Sequence, residues 1–231
     1  MARKNWYEIA APEKIVSPSL LVYPDRIEKN IRLMIAIIGD VTRLRPHIKT
    51  HKTGEIIEMQ MQHGIQKFNC ATIAEAELLA KCGARDILLA MQPVGANLNR
   101  FFKLIATYPN SEFSTIVDNN TSIDHISNMA ASKHITVRLF LDLNTGMNRT
   151  GIEPNDNAVA LFIRIAEDPN LIACGLHAYD GHIRDTDISL RKKACDAAFK
   201  LVTNLKRKIE ASGVEVKTLV IGGSPSFPIH A

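Results

Sequence analysis

Arg43-Leu44-Arg45-Pro46-His47-Ile48-Lys49-Thr50-His51-Lys52-Thr53 is a short β-like run that ends at a lysine. Histidines flank Lys49 on both sides, and a second lysine stands three residues on. A free lysine titrates at about 10.4, so at neutral pH it is an ammonium and a poor nucleophile. Neighbouring cations and partial burial both favour the neutral amine, the form that attacks a carbonyl and holds a Schiff base. The same residues also read as a basic turn at a strand end with solvated side chains. The surroundings of the segment decide between the two.

Before it, Ser19-Leu20-Leu21-Val22-Tyr23 reads as a short apolar strand. Asp25 then stands as the expected N-cap of a helix carrying Ile27, Ile31, Met34, Ile35 and Ile38 at helical spacing, ended by Gly39-Asp40. After it, strands are expected at 67–71, 86–90, 113–117, 135–143, 171–178 and 218–222. They alternate with helices at 73–81, 97–107, 119–132, 155–168 and 189–212. Counting the segment that ends at Lys49, this makes about seven strands. Several are near-continuous apolar runs, the pattern of parallel strands covered on both faces. Regular alternation points to an α/β domain, either an eight-stranded barrel or an open sheet. Residues 224–231 read as a loop after the seventh strand. A barrel short of a strand exposes sheet edges, so the chain is expected to be cut short or completed by another chain.

The bulk numbers narrow the class. The chain has 231 residues, 46% hydrophobic and 23% charged, enough for a sizeable core. A net charge of +4 without a basic run, and only 6% aromatic residues, argue against a nucleic-acid partner. Cys70, Cys82, Cys174 and Cys195 form no CxxC pair; free thiols in a reducing cytoplasm are the expectation. The polar first residues are unlike a signal peptide, and no apolar run is long enough for a membrane span.

In barrels and open α/β sheets, chemistry sits at the C-terminal ends of strands. Those ends offer Lys49, Thr72, the run from Asp142 to Gly151 that holds Arg149, His177, Tyr179 with His182, and Gly222-Gly223-Ser224. A Gly-Gly-Ser turn after a strand can cradle an anion on backbone N–H groups, or be an ordinary turn. Arg149 lies in a glycine-bounded loop that can aim a guanidinium at an acceptor, or lie on the surface. His177 and Tyr179 share one strand face by the two-residue period; a packed, locally satisfied pair is the alternative. A metal cluster of His47, His51, His177, Asp180 and His182 is a further reading. It lacks the His-x-His pair that a metal-dependent barrel hydrolase carries after its first strand.

Taken together, Arg45-Pro46-His47-Ile48-Lys49-Thr50-His51-Lys52, Cys70-Ala71-Thr72 with Glu75-Ala76-Glu77, the 146–151 loop, Tyr179-Asp180-Gly181-His182 and Gly222-Gly223-Ser224-Pro225-Ser226 resemble one family in order. It is the D-threonine aldolase and D-serine dehydratase family, whose members share the barrel domain of alanine racemase and use pyridoxal 5'-phosphate. The resemblance implies a TIM (β/α)8-type barrel, here incomplete, over residues 17–231 after a lead-in at 1–16, without the family's C-terminal β-domain. It implies that Lys49 anchors the cofactor, Arg149 bonds the phenolic oxygen of its ring, and Tyr179 and the Gly222, Gly223, Ser224 turn hold its phosphate. Thr72 and His177 would line the cofactor, and His182 would stand by the substrate as a second catalytic group. The ligands for a divalent metal (Mn, Mg or Zn) are expected in the absent C-terminal domain, and a partner subunit would close the site in a homodimer.

Two departures choose within the superfamily. Asp142 stands seven residues before Arg149, where racemases carry a lysine, and the racemase tyrosine motif after the cofactor lysine is missing. The expected activity is therefore that of a lyase, retro-aldol cleavage of D-threonine-like β-hydroxy-D-amino acids to glycine and an aldehyde. β-Elimination as in D-serine dehydratase, racemisation, and a non-enzymatic pyridoxal-phosphate homeostasis role remain as alternatives.

Overall fold

Residues 5–231 are described by a computed structural model. Pro24 opens α1 (Pro24–Ile38) at the first helical position, where its missing N–H has no partner to lose. Tyr23 is the N-cap and makes no capping side-chain bond, so the expected cap, Asp25, lies inside the helix. There its charge faces the positive end of the helix. Gly39 ends α1 at φ +76, with its N–H on the Ile35 carbonyl.

The remaining elements come in the order α2 (Gly54–Gln62), β1 (Lys67–Cys70), α3 (Ile73–Lys81), β2 (Asp86–Leu89), α4 (Ala96–Thr107) and β3 (Glu112–Val117). Then come α5 (Asn120–Lys133), β4 (Val137–Asp142), α6 (Asp156–Glu167), β5 (Leu171–Ala178), α7 (Ile188–Ala211), β6 (Thr218–Ile221) and α8 (Phe227–His230). Neither α2 nor α8 is among the sequence expectations. α2 buries Ile57 and Gln60 on one face. α8 is a single turn made from the residues expected to be loop.

The six strands pair in parallel and in chain order, and the sheet curls into half a barrel. Two expected strands are absent. Residues 19–23 form none, and Leu20 is 84% exposed. The segment leading to Lys49 contributes one parallel bridge, His47 to Asn69, beside β1. Pro46 brings no N–H to a ladder, although its carbonyl accepts from the Asn69 N–H at 2.9 Å. The chain then tightens into a 3-10 turn over Ile48–Thr50, capped by His47 Nδ1, which accepts from the Lys49 N–H at 3.1 Å. The first of the seven strands in the sequence reading is therefore a bridge and a turn.

Apolar groups fill both faces of the sheet. The main core lies against the helices and includes Phe68, Ile87, Leu139 and Leu176 from the strands and Leu79, Phe101, Ile123 and Phe162 from the helices. A second, smaller cluster of Leu88, Ile116, Phe140 and Cys174 forms on the opposite face. This double coverage is why the strands read as continuous apolar runs. The four cysteines are free. Among the described residues no helix is long and apolar enough to cross a membrane.

Candidate functional site

The C-terminal ends of the strands bring together three of the expected residues. The Lys49 amine lies 5.4 Å from the centroid of the Tyr179 ring. The Arg149 guanidinium carbon lies 5.0 Å from the same centroid. Both distances are within reach of a cation–π attraction. Lys49 and Arg149 are exposed and Tyr179 is half-buried, so the cations stand at an open mouth over one ring. The expected partial burial of Lys49 is not found; in its turn it is Ile48 that is buried.

Two glycines hold the ring in place. A Cβ on Gly181 would lie 2.2 Å from the Tyr179 hydroxyl, and one on Gly223 would lie 3.2 Å from its Cε2. Tyr179 thus packs where backbone without side chains lets it approach. Arg149 is carried by a loop braced at both ends. Asn144 Oδ1 accepts the N–H groups of Gly146 and Asn148, at 3.1 and 3.0 Å. Gly151 N–H donates to Asp118 at 2.9 Å. His182 is exposed and lies against this loop, its Nε2 only 2.7 Å from where a Cβ on Gly146 would sit.

The turn after β6 is a narrower cradle than the sequence suggests. Gly222 N–H goes to the Ala178 carbonyl at 3.3 Å, and Gly223 N–H to Ser226 Oγ at 2.8 Å. Neither points freely at a ligand. Ser224 is exposed, and its N–H and hydroxyl have no protein partner among the described residues. Thr72 is the N-cap of α3. Its Oγ1 accepts from Glu75 N–H at 3.1 Å, while the Glu75 carboxylate accepts from Ala71 N–H at 2.7 Å, a reciprocal cap. Glu75 also draws Lys52, whose ammonium lies 3.8 Å from it. Lys52 is therefore paired with a carboxylate and is not a free cation beside Lys49.

His177 is held from below. Its Nδ1 lies 2.6 Å from Asp142 Oδ1, with both side chains buried. Register explains the meeting, because Asp142 at the end of β4 stands opposite His177 on β5. The second Asp142 oxygen is buried and unpartnered, as is the Thr145 hydroxyl. The chain order shows an acid at one strand end and a histidine at the next, but not that the two are level.

Burial, then Lys49, then His177 push His47 down to about 4. In the unfolded chain it titrates at about 6.5. Between those values the unfolded state holds the extra proton, so stability falls as pH drops through that window and is fully present above it. Burial likewise lowers His51. After allowance for partial exposure, unfolding in urea at pH 7.5 and 5 should show the wild type losing about 1 kcal/mol more than His47→Gln. Equal losses in the two proteins would remove His47 as the cause.

Asp180 accepts from Ser226 Oγ at 2.6 Å and pairs with His230 Nε2 at 2.7 Å. This anchors α8 under the Gly-Gly turn. Asp180, Cys195 and His230 bring ligand atoms within 4.8 Å of one another, and among the described residues no other His, Cys, Asp or Glu group does so. Both Asp180 oxygens are already hydrogen-bonded, which accounts for the cluster without an ion. The five-residue cluster of His47, His51, His177, Asp180 and His182 does not assemble.

The mouth therefore offers a primary amine, a guanidinium, a phenol, and one unpartnered N–H and hydroxyl at Ser224. That donor set fits a group bearing both an aldehyde and a phosphate.

Residues 22–231 match the family described as alanine racemase, N-terminal domain. The 3-hydroxy-D-aspartate aldolase of Paracoccus denitrificans strain Pd 1222 is 30% identical over 223 residues, 93% of this chain and 56% of its own. The D-threonine aldolase of an Arthrobacter species is 26% identical, over 94% of this chain and 58% of its own. The crystal structure of D-threonine aldolase from Filomicrobium marinum superposes with a TM-score of 0.85 at 28% identity, covering 93% of this chain and 58% of that one. The chain thus spans little more than half the length of the curated relatives it matches.

Proposed function

Because the chain belongs to the alanine racemase N-terminal-domain family, we propose that it binds pyridoxal 5'-phosphate at Lys49 and serves a lyase that cleaves β-hydroxy-D-amino acids to glycine and an aldehyde. The observation that carries this reading is the convergence of Lys49 and Arg149 on the Tyr179 ring. Bound there, the cofactor would supply an electron sink for bonds to the α-carbon of an amino acid.

The chain's own residues do the rest. Lys49 would provide the amine that holds the cofactor aldehyde. Arg149 would set its guanidinium against the ring oxygen. Tyr179 and Ser224 would donate to the cofactor's phosphate. His177, fixed by Asp142, would support the cofactor from inside the sheet, and Thr72 would line its edge. His182, on the rim, reaches the substrate and moves its proton. The two aldolases among the relatives support cleavage over racemisation, as does Asp142 in the place of a racemase lysine.

The test begins with cofactor uptake. The purified chain titrated with pyridoxal phosphate should gain a visible band that borohydride fixes to Lys49, located by peptide mapping. D-Threonine, 3-hydroxy-D-aspartate and D-serine then report the reaction, glycine and aldehyde marking aldol cleavage, keto acid and ammonia marking elimination. A chain that gains no band sinks the reading; a band with elimination products corrects the reaction but keeps the site.

A further inference from the structure

The other end of the sheet holds a second concavity. It has a volume of about 130 Å³, and Arg45, Lys67, Asp86, Arg138, Lys217 and Thr218 are among its lining residues. Lys67, Asp86 and Thr218 are the first residues of β1, β2 and β6, so it opens at the N-terminal ends of the strands. Phe140 and Cys174, from the apolar cluster with Leu88 and Ile116, also line it, as do Ile172 and Ala173. The cavity belongs to neither the Lys49 mouth nor its loops.

Its charges do not balance. Arg45, whose side chain is 9% exposed, is spent on Asp86 through two bonds of 2.8 and 2.6 Å. Arg138 has a looser contact with Glu112 at 3.5 Å, its own side chain half-buried and that of Glu112 exposed. Lys67 and Lys217 make no ion pair among the described residues. Gathering these cations in a concave site costs energy that an anion offsets, and the concavity focuses their field on it. The cavity's polar lining is mainly cationic or hydroxylic, with Arg45, Lys67, Arg138, Lys217, Ser114 and Thr218 set against the single carboxylate of Asp86. The cations and hydroxyls match the oxygens of a compact oxyanion. The space is well under the roughly 300 Å³ at which pockets begin to take larger organic ligands.

We infer that this cavity is a binding site for a small multivalent oxyanion of inorganic-phosphate size, with Lys217 and Arg138 as its principal contacts. The inference does not depend on the function proposed for the Lys49 mouth.

The probe is inorganic phosphate, added to cofactor-free protein against sodium chloride of equal ionic strength. Binding is read by calorimetric titration and by the thermal midpoint. The wild type should bind saturably and gain midpoint. Lys217 is exposed on the connection into β6, so its replacement leaves the core untouched. Lys217→Gln should weaken binding at least about tenfold, as loss of a charge-assisted contact does; Lys217→Glu should abolish it. Arg138→Gln should weaken it as well. Tyr179→Phe and Ser224→Ala should bind phosphate here as the wild type does. No saturable binding in the wild type, or wild-type binding by Lys217→Glu, overturns the inference. So does loss of phosphate in Tyr179→Phe alone, which would put the anion at the other mouth.

Discussion

Lys49→Arg should gain no borohydride-fixable visible band with pyridoxal phosphate, and any turnover should fall by at least about 10²–10⁴-fold, the range spanned by loss of a positioned proton-transfer group. The substitution isolates the amine from the charge. Arginine keeps a cation over the Tyr179 ring and beside His47, so attraction of a phosphate to the mouth is retained. The variant loses a nitrogen that can give up a proton and attack a carbonyl, because a guanidinium stays protonated in proteins. Lys49→Ala should match it in the band and bind the cofactor more weakly still, having lost the charge too. Lys52→Ala is the necessary companion. Its ammonium lies 3.8 Å from the Glu75 carboxylate, so the band should survive its removal. A band that persists in Lys49→Arg and vanishes in Lys52→Ala would move the anchor three residues along and undo the assignment.

That assignment rests on features the sequence shows unequally. Strand and helix alternation is legible because each type has its own apolar period, and five of the six strands fall within one residue of where the pattern puts them. The sixth, β4 at Val137–Asp142, begins two residues later than expected, since the residues after α5 are spent on its C-cap at His134 (φ +53). Residues 19–23 mislead because strand propensity is largely the fit of a side chain to neighbouring strands, and here no strand lies beside them. α2 escapes notice because only Ile57 and Gln60 are deeply buried, too few to set a period. α8 depends on Asp180, 50 positions before its partner His230.

The site divides along the same line. Lys49, Arg149 and Tyr179 are legible as residues just past strand ends, because a parallel sheet delivers all its C-terminal ends to one side. The directions of N–H groups are not legible that way. Gly222 and Gly223 satisfy the motif, yet their donors turn inward to Ala178 and Ser226, leaving Ser224 to face outward. Thr72 likewise has its acceptor committed to α3.

The pairing of Asp142 with His177 carries the largest expected effect on stability. Asp142→Ala should destabilise the protein by about 3–5 kcal/mol, the usual consequence of removing one partner from a buried polar pair. Both side chains are withdrawn from water, and the 2.6 Å contact is the one hydrogen bond that either side chain makes among the described residues. Alanine leaves the His177 Nδ1 donor facing a void that no other described acceptor fills. Asp142→Asn keeps an acceptor oxygen of the same shape at Oδ1, and its amide occupies the place of the unpartnered Oδ2. Its cost should be nearer about 1–2 kcal/mol. Urea unfolding of the three proteins at one pH gives the order, and the double variant with His177→Ala tests the pairing. If the two residues act through one bond, the second substitution should add little to the first. Additive losses, or an Asp142→Ala protein within about 1 kcal/mol of wild type, would show that the contact does not hold the histidine. The cofactor readout then separates support from folding. A His177 freed to rotate should weaken pyridoxal-phosphate uptake in Asp142→Ala under conditions where the variant is still fully folded, while a purely structural pair would leave uptake unchanged.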